Sequence, residues 1–270
     1  MYHSKRAPIY PHQNGATLIV VLFILLIITI VGIMAIRVAM VSLGVATNSQ
    51  VGQLNFQASD TPLAWFNNVD TTTVSDISNV LGAALKEHES NPGAEYIFCY
   101  KPTGTNAFAK TVNASLIRAG TGNNATVEEG GVAGFCDLDS DFGSNRSAVV
   151  TQVAVSIPTD AISNETPGSN LPRGMNVSEG TSISRNMTSK QRIRVTSTAI
   201  LPSYSSASTS TIEGNCLSTG SARISDNLDS NIASRQTLAQ CLEANGVPYS
   251  TQTQEFSYFN EITENSTPGT

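Results

Sequence analysis

Residues 13–37 read QNGATLIVVLFILLIITIVGIMAIR, and the fold follows from what this stretch is. No Asp, Glu, Lys or Arg occurs between Arg6 and Arg37. The apolar core runs from Ala16 to Ile36, and as a helix it is about 31 Å long, the thickness of a bilayer's hydrocarbon. A cleaved secretory signal has a shorter apolar run, roughly 7–15 residues, followed by a small-x-small site. Here the run is longer and closes on the bulky pair Ile36-Arg37. The stretch therefore reads as a single membrane-spanning helix. Lys5 and Arg6 ahead of it keep the N-terminus in the cytoplasm, and the rest of the chain is exported.

That exported body is large enough for one domain with insertions. Charged residues make up 13% of the chain, about half the usual share, and neutral polar residues fill the gap. With Lys5 and Arg6 set aside, 13 of the 15 basic residues remain, and 21 acidic ones, all beyond the apolar run, outweigh them. A net negative body excludes backbone binding to nucleic acid as its main task. Its one basic cluster, Lys190, Arg192 and Arg194, alternates along a strand candidate and reads as a solvated strand face.

Between Ala16 and Thr61 there is no proline, a helical allowance of about 69 Å. Beyond Arg37 the pattern becomes amphipathic, with Val38, Val41 and Val45 on one stripe, resumed with an offset by Val51, Leu54 and Ala58. Pro62 marks a kink or restart, with Ser59, Asp60 or Thr61 available as a cap. A second helix is expected from Thr72 to His88, where Val74, Ile77, Leu81, Ala84 and Leu85 recur at helical steps and Asn91-Pro92-Gly93 ends the run. Strand candidates follow at 94–100, 147–157, 191–201 and 253–259. The long polar stretches 101–130, 159–190 and 202–229 read as loops. A short helix is expected within 230–246, with Leu238, Cys241 and Leu242 on one face and Gly246 as its stop.

The segment NGATLIVVLFILLIITIVGIMAIR resembles the start of the PilX-type minor pilins of type IV pili, and ATNSQVGQLNFQASDTPLAWF (46–66) resembles the continuation of their helix. The likeness covers residues 13 to about 66; beyond that it is one of size and cysteine usage. It implies a pilin-like α+β fold, a long N-terminal helix packed on an antiparallel sheet head with long loop insertions. Residues 1–15 would be a leader, cut after Gly15 by prepilin peptidase to leave Ala16 as a methylated N-terminus. Residues 16–36 would be the transmembrane and filament-core half of the helix, 37–68 its amphipathic half, and 69–270 a periplasmic head. The implied partners are other minor pilins, the major pilin, a PilY-type tip adhesin and, before assembly, the inner membrane. The implied roles are pilus initiation and tip assembly, supporting twitching motility, adhesion and DNA uptake. One residue departs from the pattern. Most pilins carry Glu at the fifth position of the processed chain, where Val20 stands here. In related secretion pseudopilins that loss goes with a place at the filament tip. A tip pseudopilin of type II secretion and a membrane-anchored surface-binding protein are the alternatives.

Cys99, Cys136, Cys216 and Cys241 all lie in the exported part, where an even count favours disulfides. Three connectivities are open. Cys99–Cys136 with Cys216–Cys241 is favoured, because it closes loops of 37 and 25 residues and staples two of the long insertions. No close CxxC pairs are present for zinc. Asp137, Asp139 and Asp141 alternate as in the opening of a calcium loop. However, Phe142 occupies the turn position that needs Gly, and Ala148 the position of the bidentate Glu; calcium is the one cofactor the sequence raises. Catalysis is not expected. His88 is the sole histidine of the exported part, on a helix expected to end in solvent, and no serine sits in a G-x-S-x-G setting.

Overall fold

The computed structural model describes residues 16–102, 108, 113–143, 147–160 and 186–263. They form two compact units, one up to Gly52 and one from Gln53 onward. The first helix, α1 (Ala16–Phe66), runs through both as a continuous element. The break expected at Pro62 does not occur. Pro62 forfeits one helical hydrogen bond, but Leu63 and Phe66 beyond it are 3% and 5% exposed, and burial of this last turn outweighs one lost bond. The Thr61 hydroxyl turns back to the Gln57 carbonyl at 2.7 Å instead of capping a new helix.

Within the second unit, α1 buries Asn55, Ser59, Leu63 and Phe66, one stripe at four- and three-residue spacing. The apolar residues expected to make that contact, Val51, Leu54 and Ala58, lie beside the stripe and stay partly or largely exposed. Polar bonding explains the offset. The Gln252 amide donates to the Phe56 carbonyl and to Ser59 Oγ, and Ser59 also meets Ser250 Oγ at 3.1 Å.

Two helices stand where one was expected: α2 (Thr71–Ser75) and α3 (Val80–Ser90). Between them, Asp76 accepts from the Ser78 N–H, and Asn79 caps α3 by accepting from the Leu81 N–H. Such side chains offer the backbone an alternative to helix. Gly82 permits the sharp turn, since a Cβ there would lie 2.2 Å from the Asp76 carbonyl oxygen. The helix ends at Asn91, ahead of Gly93 with its left-handed φ of 82°.

The sheet has six antiparallel strands in the order β3-β2-β1-β4-β5-β6. They are β1 (Ala94–Tyr100), β2 (Ala114–Ala119), β3 (Ala125–Glu129), β4 (Val150–Ser156), β5 (Asn186–Ile200) and β6 (Tyr249–Thr263). The four strand candidates correspond to β1, β4, β5 and β6. Strands β2 and β3 fall in the stretch 101–130 read as loop, where the apolar run Leu116-Ile117 is too short to show a period.

Both faces of the sheet are covered, which is unusual for an antiparallel sheet. On one face, Tyr96, Phe98, Val153, Val155, Ile193 and Val195 pack with Leu63, Phe66, Val80 and Leu81 of the helices. Phe108 stacks on Trp65 here, with ring centroids 3.9 Å apart. On the other face, Ile97, Ile117, Ala154 and Ile200 pack under α4 (Thr209–Cys216) and α5 (Leu238–Ala244). Helix α4 lies in the stretch 202–229 read as loop. Helix α5 is shorter than the helix expected within 230–246, because it starts only at the Thr237–Gln240 capping box. A sheet covered on both sides loses strict alternation, and β4 is buried at every position from Val150 to Val155.

Candidate functional site

Two regions carry the chemistry: the N-terminal helix and a buried charged cluster under the second layer of the head. In the helix, Arg37 and Asp60 are the only charged residues. Every large apolar side chain from Leu18 to Val45 is between 46% and 69% exposed. It is long and apolar enough to cross a membrane and lies near the N-terminus, which fits membrane anchoring. Two of its hydroxyls are satisfied internally: Thr29 Oγ1 donates to the Leu26 carbonyl at 2.8 Å, and Thr47 Oγ1 to that of Leu43 at 2.9 Å. A helix that bonds its own polar atoms can enter lipid or a bundle of other helices at little cost. Ala16 is its first residue, and Gly15 lies outside the described residues. Val20 is 55% exposed in the first turns, and no acidic residue is there to offset the positive helix end.

The disulfides are Cys99–Cys136, with Cα atoms 4.9 Å apart, and Cys216–Cys241, 5.9 Å apart. The first ties β1 to the loop before β4; the second ties α4 to α5.

Asp137, Asp139 and Asp141, the calcium candidates, follow that first bridge. Asp137 Oδ1 accepts the backbone N–H groups of Asp139 and Ser140, which hold this carboxyl below its usual range. Asp141 pairs with Lys101 at 2.7 Å, and Asp139 accepts from the Thr209 hydroxyl. Their oxygens are spent on three separate partners. Among the described residues, no group of three or more His, Cys, Asp and Glu is placed to hold a metal ion.

The basic cluster differs most from its sequence reading. Arg194 is 5% exposed and lies inside the molecule. It donates to Asp229 at 2.7 Å, to Asp226 at 3.1 Å and to Glu255 at 2.8 Å. Asp229 also accepts from the N–H and hydroxyl of Thr159. Burial works against its charge, but Thr159 and Arg194 together hold it below the usual carboxylate range. Arg192 reaches Glu255 and the Asp160 carbonyl. The reversal comes from the second covering layer. An arginine on the outer face of a half-exposed sheet meets water; here that face meets Asp226 and Asp229. The sequence signal was present in Arg194 itself, a charge set between Ile193 and Val195 in an apolar strand.

Beside this cluster, Glu95 of β1 is 6% exposed and accepts the Ser225 N–H at 2.8 Å, its second oxygen meeting the Ser225 hydroxyl. Burial, and then the neighbouring Asp226, push its pKa up to about 8. His88 is half-buried rather than solvated, its Nδ1 lacks a hydrogen-bond partner, and burial lowers its pKa. Glu95, Arg194, Asp226 and Asp229 line a cavity of about 200 Å³ with Arg118 and Arg235 on its wall.

A protein-family model described as PilX N-terminal matches residues 14–64, roughly a fifth of the chain, a match consistent with a PilX-type pilin. No curated protein and no solved structure matches.

Proposed function

We propose that the chain is a minor pilin that takes part in initiating and capping a type IV pilus. One observation carries the reading: the PilX N-terminal match at residues 14–64 coincides with a continuous helix whose apolar side chains from Leu18 to Val45 are bare. A helix in that condition needs lipid first and other helices later.

The mechanism is physical rather than chemical. The helix spans the inner membrane with the head in the periplasm, and prepilin peptidase cuts after Gly15 to free a methylated Ala16. The helix then leaves lipid for a bundle of pilin helices, exchanging one apolar surrounding for another. Arg37 stays at the interface, since placing it at mid-bilayer costs about 3 kcal/mol. A filament interior excludes an unpaired carboxylate for the same reason. A subunit with Val20 in place of Glu makes no charge contact with a subunit ahead of it, which supports a place at the tip. The partners would be other minor pilins, the major pilin and a PilY-type adhesin, with twitching, adhesion and DNA uptake as consequences.

Deleting the chain in its host and counting surface pili tests this. The proposal expects few or no pili, restored by the full chain. Normal piliation with loss of protein secretion would assign the chain to a type II secretion pseudopilus instead.

A further inference from the structure

The cavity lined by Glu95 and Arg194 is closed on one side by residues 224–232, which carry Ser225, Asp226 and Asp229. We propose that this segment is a proton-controlled latch, shut while the Glu95 carboxyl is protonated and released when it ionises.

The argument starts from charge counting. Four carboxyls, Glu95, Asp226, Asp229 and Glu255, surround the buried guanidinium of Arg194. Arg192 helps to balance Glu255 at 3.2 Å. Arg194 bonds three of the four, and Glu95 is the one it leaves out. The other cations near the cavity are also engaged: Arg118 with Glu128, and Arg235 with the Gly122 carbonyl. The charge of Asp229 acts on His88 of α3. The Glu95 charge would therefore meet Asp226 with no ion-pair partner of its own among the described residues, drawing only on the field of an Arg194 that three other carboxylates already share.

The protonated form suits the site. One oxygen accepts the Ser225 N–H, and the other shares a proton with the Ser225 hydroxyl. Both bonds hold residue 225 to the sheet. Ionisation keeps them as acceptors but adds a second negative charge beside Asp226, which the shared Arg194 offsets only in part, and in a buried site like charges repel strongly.

The sign is fixed by linkage. The carboxyl titrates near 8 with the latch shut and near 4.5 once exposed. The shut state therefore holds the extra proton between these values, and closure weakens as pH rises through that window. Below it the latch is fully shut; above it the loss is complete and levels off.

Amide hydrogen exchange on the full chain in detergent micelles reads this directly. In the wild type, the protection factor of the Ser225 amide should fall roughly tenfold per pH unit between pH 5.5 and 7.5. Glu95→Gln keeps the acceptor and gains a donor toward Ser225 Oγ, so its protection should stay flat across the same range. A flat wild-type profile, or the wild-type slope retained in Glu95→Gln, would overturn the proposal. Carbon-13 titration of the wild-type glutamate carboxyls is decisive even if that variant folds poorly. One carboxyl titrating near 8 supports the latch, and all of them titrating between 4 and 5 removes it.

Discussion

Replacing Arg194 by Met removes the single cation that Asp226, Asp229 and Glu255 share while roughly preserving volume. Glu255 keeps Arg192 and partial exposure, so it loses little. Asp226 and Asp229 keep the hydroxyl and amide donors of Thr196 and Thr159, but their side chains are only 10% and 7% exposed. Breaking a buried pair by removing one partner costs about 3–5 kcal/mol. Protonation sets a ceiling: forcing a carboxyl of ordinary pKa to stay neutral at pH 7 costs about 4 kcal/mol, and about 1.5 kcal/mol at pH 5. In the variant the buried aspartates have raised pKa values, so the folded chain binds more protons than the unfolded one, and its stability falls as pH rises. The loss relative to wild type should thus be about 4 kcal/mol at pH 7 and less than half of that at pH 5. Urea unfolding of the full chain in micelles, followed by the fluorescence of its single tryptophan, Trp65, measures both. A loss under about 1 kcal/mol at pH 7, or one that does not change with pH, would refute the buried-pair reasoning.

The same assay checks two further expectations. Substituting both Cys216 and Cys241 by Ser releases a 25-residue loop, a loss of about 3.5 kcal/mol on the chain-entropy model and a fall of about 7–14 °C in Tm; an unchanged Tm would mean that the loop is held by packing alone. Gly82→Ala sets the propensity gain of Ala, about 1 kcal/mol, against a Cβ 2.2 Å from the Asp76 carbonyl. The clash should win by about 1–2 kcal/mol, and a stabilised variant would show that the α2–α3 junction gives way.

Much of this fold was legible because its strongest elements are periodic or sharply composed. The apolar run, the strand at 94–100 and the cap-bounded end of α3 each carry a local signal that tertiary context does not reverse. The failures share a cause: they depend on what packs against an element rather than on the element itself. Pro62 looked like a break because the sequence does not show that Leu63 and Phe66 are core. Leu116 and Ile117 looked like part of a loop because β2 becomes recognisable only when paired with β1. Arg194 looked solvated because nothing local announces that residues 201–248 cover the second face of the sheet. The Asp137–Asp141 carboxylates, whose alternation matches both an Asp-rich turn and the opening of a calcium loop, bond to their own turn and to two nearby side chains.

The central claim is that residues 1–15 are a leader and that the helix beginning at Ala16 is the working part. Expressing the full chain with Gly15→Val in its host, beside wild type, and reading intact mass and surface pili tests it most directly. The account predicts a wild-type chain that begins at a methylated Ala16, and a variant that keeps its leader, stays in the membrane and supports few pili. A variant processed at residue 15 with normal piliation would contradict it.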